Sequence, residues 1–150
     1  TEIMRSLGRV PSSKAVAYFL TAPSSSEMEK LQLEGHETIL RMERIRYADD
    51  VPICFEVASI PEKLIHNFSK EEIISSLYHV LEEKGGHKIG AASQTISAMI
   101  ASEQIADYLQ IKRGDAILRM RQITCFENGQ PFEYVRTQYV GNRFEFYLEK

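Results

Sequence analysis

No stretch of this sequence is apolar for long enough to cross a membrane, and its first residues do not resemble a signal peptide, so membrane and secretion readings fall away. Cysteine is scarce. Cys54 and Cys125 are the only two, far apart and within predicted strands. No C-x-x-C or Cys/His spacing accompanies them, and His36, His66, His79 and His87 do not cluster. The pattern reads as reduced core thiols in a cytoplasmic protein rather than as a metal or disulfide pair; no metal or cofactor is expected. Basic clusters are missing too, since the net charge of −3 is spread along the chain. Affinity for a DNA duplex comes mainly from neutralising phosphates, so this chain by itself is a poor DNA binder. Nor is there a nucleophile–base pair or a phosphate-cradling glycine loop, and no catalytic residue is predicted.

What is present is an ordinary globular composition, with 43% hydrophobic and 26% charged residues over 150 positions, the size of one domain. An internal repeat organises it. Leu31 to Met42 matches Leu109 to Met120 without a gap, and six of the twelve positions are identical. A short helix precedes each copy: Ser24 with Glu27 has capping-box spacing, and Ser102 is the corresponding cap. Each copy then runs into a polar turn and a Pro/Glu segment, Asp49-Asp50-Val51-Pro52 and Asn128-Gly129-Gln130-Pro131, the second having gained one residue. The predicted unit is strand, short helix, strand, hairpin, strand, used twice. Lys14–Thr21 and Lys88–Met99 are the predicted leading strands, with Val16, Tyr18 and Leu20 alternating as in a half-buried strand. One longer helix between the copies ends at Gly85-Gly86, and a last strand is predicted from Arg143 to Leu148. Antiparallel strands with helices to one side or at the ends make an α+β domain.

Arg44 and Arg46 stand two apart on a predicted strand, Thr38 to Tyr47, so both leave the same face and can reach one phosphate or carboxylate. For a lone Arg-x-Arg, a solvated strand face is the commoner outcome. Glu56 joins them only in one register. With a two-residue Asp49-Asp50 loop it points to the opposite face; with a three-residue loop, Ala48 to Asp50, it joins the arginines. The stretch Ser69 to Lys84 also has two readings. Either Ser69 and Glu72 cap one amphipathic helix with Ile73, Leu77, Val80 and Leu81 inward, or a turn follows Ile74 and Ser75 caps a helix starting at Ser76. The second reading aims first-turn amides and serine hydroxyls at an anion. Glu133 and Tyr139 share a parity on the last hairpin strand and hence a face, where a carboxylate and a phenol can bond sugar hydroxyls or an amine.

The ordered set Arg44-x-Arg46-x-Ala48-Asp49-Asp50-x-Pro52-x-x-x-Glu56, Ile60-Pro61, Ser75-Ser76-Leu77-Tyr78, Asn128-Gly129-x-Pro131-x-Glu133 and Tyr139 resembles the effector domain of GntR-type regulators. Within them it resembles the HutC subfamily, whose UTRA domain has a chorismate-lyase-like fold, mostly antiparallel sheet with short helices. The resemblance implies a homodimeric repressor that binds operator DNA through an N-terminal winged helix-turn-helix domain outside this chain. A start at Thr1 rather than at a methionine carries the same expectation of a preceding segment, and in the amino-sugar-sensing branch part of the phosphate loop lies just ahead of Thr1. That branch implies that Arg44, Arg46, Ser75, Ser76 and Tyr78 hold a ligand phosphate and that Glu56, Glu133 and Tyr139 face the sugar. A phosphorylated amino sugar or a fructosamine-type sugar phosphate is the implied effector. It also favours the register that places Glu56 beside the arginines, and a helix beginning near Ser75. Because the related fold hosts a lyase, an enzyme acting on a small anionic substrate is the alternative.

Overall fold

The computed structural model describes residues 9–149. The expectation about a phosphate loop ahead of Thr1 lies outside the described residues. Strand β1 (Pro11–Thr21), helix α1 (Ser25–Leu31) and strands β2 (Ile39–Ala48) and β3 (Val51–Pro61) form the first copy. A 3-10 turn at Glu62–Leu64 and helix α2 (Lys70–Glu83) follow. Strand β4 (Ile89–Ile100), helix α3 (Glu103–Leu109) and strands β5 (Ala116–Phe126) and β6 (Pro131–Val140) repeat the pattern. The six strands make one sheet of order β1-β2-β3-β6-β5-β4, every neighbour antiparallel, so the copies meet at its centre with β3 against β6. The α+β class and the two pseudo-repeats predicted above are therefore present.

The repeat extends to backbone detail. Ser24 and Ser102 are both helix N-caps, each accepting at 3.2 Å from the amide three residues on, and Ser24 and Glu27 complete a capping box. Both short helices stop at a glutamine in the left-handed region, Gln32 (φ 54°) and Gln110 (φ 56°). This is the geometry that closes a helix C-terminus. Helices α1 and α3 lie on one face of the sheet, α1 packing Leu31 onto Ile39 and Tyr134 and α3 packing Leu109 onto Ile45 and Phe55. Helix α2 covers the opposite face, packing Ile73, Leu77 and Leu81 onto Leu40, Met42, Ala58 and Ile60.

Two details differ from the prediction. The bulge between Ala15 and Ala17 sends Val16 to the α3 face while Tyr18 packs on the α2 face, so the three alternating residues do not share a side, and Leu20 is 57% exposed. Residues 143–148 are irregular rather than a strand. Strand β6 is flanked by β3 and β5, so the chain leaves it with no free edge to pair along. The segment is held by side-chain contacts instead. Phe144 stacks on Tyr139 at 4.0 Å, Phe146 meets it edge-on at 5.6 Å, and Arg143 donates to the carbonyls of Pro52 and Leu109.

The hairpin between β2 and β3 turns at Asp49 and Asp50, both at positive φ (51° and 66°). Two consecutive left-handed residues match the right-handed twist of the strands but strain a side chain with a Cβ. The Asp49 carboxylate also accepts from the Val10 amide at 2.9 Å, whereas among the described residues no such bond ties down Asp50. Asp50→Gly is therefore expected to stabilise the fold by about 0.5–1 kcal/mol, read as a raised denaturation midpoint at unchanged m-value.

Candidate functional site

The turn has two residues, the geometry that by itself turns Glu56 away from the arginines. A bulge reverses that outcome. Ala48 pairs with Val51 and Tyr47 with Pro52, but Arg46 pairs with Cys54, so Ile53 is the extra residue and the register advances by one. Arg44 then stands directly across from Glu56, and all three charged groups share the α2 face. The second copy bulges at the same place: Cys125 pairs with Pro131 and Thr124 with Glu133, leaving Phe132 extra. Each bulge follows the hairpin proline.

Both guanidinium groups grip one carboxylate. Arg44 Nη2 donates to Glu56 Oε1 at 3.0 Å and Arg46 Nε to Oε2 at 2.9 Å. Glu56 is 8% exposed. Burial alone would raise its pKa, yet Arg46 and Arg44 together lower it below the usual carboxylate range. Glu56 thus serves as the anion that two arginines require.

Helix α2 follows the first reading of its sequence, with a break at Ser76 near the turn of the second but without Ser75 as a cap. Ser69 caps it, with Glu72 closing the capping box, and the chain stays helical in outline to Glu83. At Ser76 the backbone leaves helical values (φ −160°, ψ 53°), which interrupts the hydrogen-bond ladder and kinks the helix. The Ser75 and Ser76 hydroxyls bond back to the carbonyls of Glu71 and Glu72. Beyond the kink, the Tyr78 hydroxyl donates to Glu133 Oε1 at 2.7 Å and lies 3.2 Å from the Thr124 hydroxyl. Burial raises the Glu133 pKa, the proximity of Glu56 adds to this, and the Tyr78 bond only partly offsets it. Burial likewise raises the phenols of Tyr78 and Tyr139, and it pushes the Cys54 thiol up to about 12, so Cys54 is an unreactive thiol.

An open cavity of about 420 Å³ lies between α2 and the sheet. All eight residues singled out in the sequence, Arg44, Arg46, Glu56, Ser75, Ser76, Tyr78, Glu133 and Tyr139, line its wall. Sequence reasoning missed Met120, Gln122, Thr137 and His79, which line it as well. Thr137 was within reach, having the parity of Glu133 and Tyr139 on the same strand. Gln122 becomes visible only once β5 is registered against β6, where it pairs with Val135. No group of three metal-ligating side chains occurs among the described residues.

Residues 6–145 match the model of the UTRA domain. The structure is also similar to a GntR-family transcriptional regulator from Enterococcus faecalis V583, at 70% identity and a TM-score of 0.90, covering 93% of this chain and 100% of that one. This chain is a UTRA domain of the GntR family. Among curated relatives, the UTRA domain is 31% identical over 147 residues to the transcriptional repressor NagR of Bacillus subtilis, covering 97% of this chain and 60% of that protein. YydK of the same organism, a solved structure, is 25% identical with a TM-score of 0.85, covering 93% of this chain and 61% of that one. A repressor named for a fructoselysine utilization operon in Escherichia coli is 24% identical over 104 residues, covering 69% of this chain and 43% of that protein. The UTRA chain thus spans about three fifths or less of the curated relatives it matches, and those relatives are named as transcription regulators.

Proposed function

We propose that this UTRA domain is the effector sensor of a bacterial transcriptional repressor and that its cavity takes a phosphorylated amino sugar or a fructosamine-type sugar phosphate. The observation that carries this reading is that Arg44, Arg46, Ser75, Ser76 and Tyr78 line the same cavity as Glu133 and Tyr139. Two guanidinium forks and two hydroxyls suit a phosphate. Glu56 and Glu133 suit an ammonium or secondary amine together with sugar hydroxyls. Two arginines and two carboxylates leave the wall formally balanced, which favours a ligand carrying both signs of charge. A volume of about 420 Å³ is in the range of small-metabolite sites. A relative named for a fructoselysine operon supports the sugar–amine class.

In this reading the protein is a regulator and not an enzyme, works in the cytoplasm as a homodimer, and meets operator DNA through a separate N-terminal winged helix-turn-helix domain. Calorimetric titration of the chain with phosphorylated amino sugars and fructosamine phosphates is the test. Saturable binding of one of them, with the unphosphorylated sugar binding much more weakly and the ligand recovered unchanged, is the expected result. Equal affinity for the unphosphorylated sugar would sink the phosphate assignment. Conversion of the ligand would move the chain to the enzymes.

A further inference from the structure

The opposite face of the sheet carries a second concentration of arginine. Arg119 and Arg121 on β5 and Arg136 on β6 line a cavity of about 340 Å³ with Gln138, beside the apolar walls of Phe55 and Tyr134. The Nε atoms of all three arginines and Gln138 Oε1 are buried without a hydrogen-bond partner among the described residues. Four orphaned groups in one place are costly, since each loses water and gains nothing. Arg121 and Arg136 also face each other directly across the strands, a like-charge pair that destabilises a sheet.

The internal repeat identifies what is missing. In the first copy, Arg41 donates through Nε and Nη2 to Glu27 of α1 at 3.0 and 2.5 Å, and Ser59 donates to the same carboxylate at 2.5 Å. By the repeat's own alignment, Arg119 is the counterpart of Arg41, Gln138 of Ser59, and Ile105 of Glu27. The second copy keeps the arginine and a polar neighbour but has an apolar residue in place of the carboxylate. Arg119 and Arg121 form no ion pair among the described residues, and Glu27 is already shared between Arg41 and Arg136. Glu43, the other acid on this face, lies two strands from Arg136, roughly 10 Å by strand spacing.

We propose that this cavity binds a small carboxylate-bearing metabolite, whose carboxylate takes from Arg119 and Arg121 the hydrogen bonds that Glu27 takes from Arg41 in the first copy. A planar carboxylate matches the guanidinium forks, and the volume admits a small acid with an apolar body against Phe55 and Tyr134. The site is on the other side of the sheet from the effector cavity and does not depend on the function proposed for that cavity.

The probes are succinate and inorganic phosphate, titrated into the chain at constant ionic strength while the arginine Nε–H resonances are followed by NMR. Saturable shifts of the Arg119 and Arg121 resonances with succinate are expected. Arg119→Gln and Arg121→Gln identify those resonances and should each weaken succinate binding by about ten- to a hundredfold. Neither variant should lower Tm, because each removes an orphaned buried donor. Shifts that never saturate, or an affinity unchanged in both variants, would overturn the site. Saturation by phosphate but not by succinate would overturn the carboxylate assignment. Shifts that follow protein concentration rather than succinate would reassign the face to contact between copies of the chain.

Discussion

Glu27→Ala is expected to cost about 3–5 kcal/mol of stability and to lower Tm by about 10 °C. Glu27 is fully buried, yet its carboxylate accepts from the Ser24 amide at 2.8 Å, from Arg41 through two nitrogens, from Ser59, and from Arg136 Nη2 at 3.4 Å. Truncation removes the capping box of α1 and takes the shared carboxylate from two half-buried arginines and the buried Ser59 hydroxyl. Glu27→Gln keeps an acceptor for the cap but not the charge, so an intermediate loss is expected. Acidity supplies an independent check. Burial alone would raise the Glu27 pKa, but the bonds from Arg41, Ser24 and Ser59 outweigh it and lower the value from 4.5 to about 2. A folded-state pKa below the unfolded one means that the carboxylate's contribution is complete above pH 4.5 and fades as the pH falls toward 2. The stability gap between the native chain and Glu27→Gln should therefore narrow across that window in urea titrations. A gap independent of pH would show that Glu27 acts through packing rather than charge.

Much of this architecture is legible in the residues because it is local and used twice. Ser24 with Glu27, Ser102, and the ungapped match around Gln32 and Gln110 specify two helix–strand units before any tertiary contact is known. What escapes is non-local or depends on one extra residue. The bulges at Ile53 and Phe132 add a residue whose only visible sign is the proline before each, and they decide which face Glu56 and Glu133 occupy. Pairing of β3 with β6 joins segments about eighty residues apart, and no turn geometry announces it. Phe144 and Phe146 alternate as strand residues do, but they pack on Tyr139 instead of joining the sheet. In helix α2 the cap at Ser69 is legible, whereas the break at Ser76 reads in the sequence as a turn after Ile74 capped by Ser75, whose hydroxyl instead bonds back to Glu71. The arginines of the opposite face were present in the repeat alignment, but a lost partner becomes visible only when Ile105 is seen to replace Glu27.

Arg44→Ala/Arg46→Ala should weaken a phosphorylated effector by about two to four orders of magnitude, if each arginine contributes the ~1.5–3 kcal/mol typical of a charge-assisted hydrogen bond. The starting state makes the experiment more informative than a simple deletion. Both guanidinium groups are already engaged by Glu56, so a phosphate competes with an internal carboxylate for the same donors. Glu56→Gln removes that competitor and should raise the affinity for inorganic phosphate, although the affinity for an amine-bearing sugar falls through loss of the carboxylate. The double alanine variant leaves Glu56 buried without a partner, so adding Glu56→Gln to it supplies the variant in which weakened binding is not confused with unfolding. Opposite responses to one substitution, stronger for phosphate and weaker for the amino sugar, are what a shared carboxylate demands. The same competition offers a route from ligand to conformation, because a phosphate that displaces Glu56 from Arg44 and Arg46 frees a buried charge that must find a new partner. An effector shifts an equilibrium only by the difference in its affinity for the two states. If this displacement supplies that difference, Glu56→Gln should bind phosphate while losing the effector-dependent change in conformation.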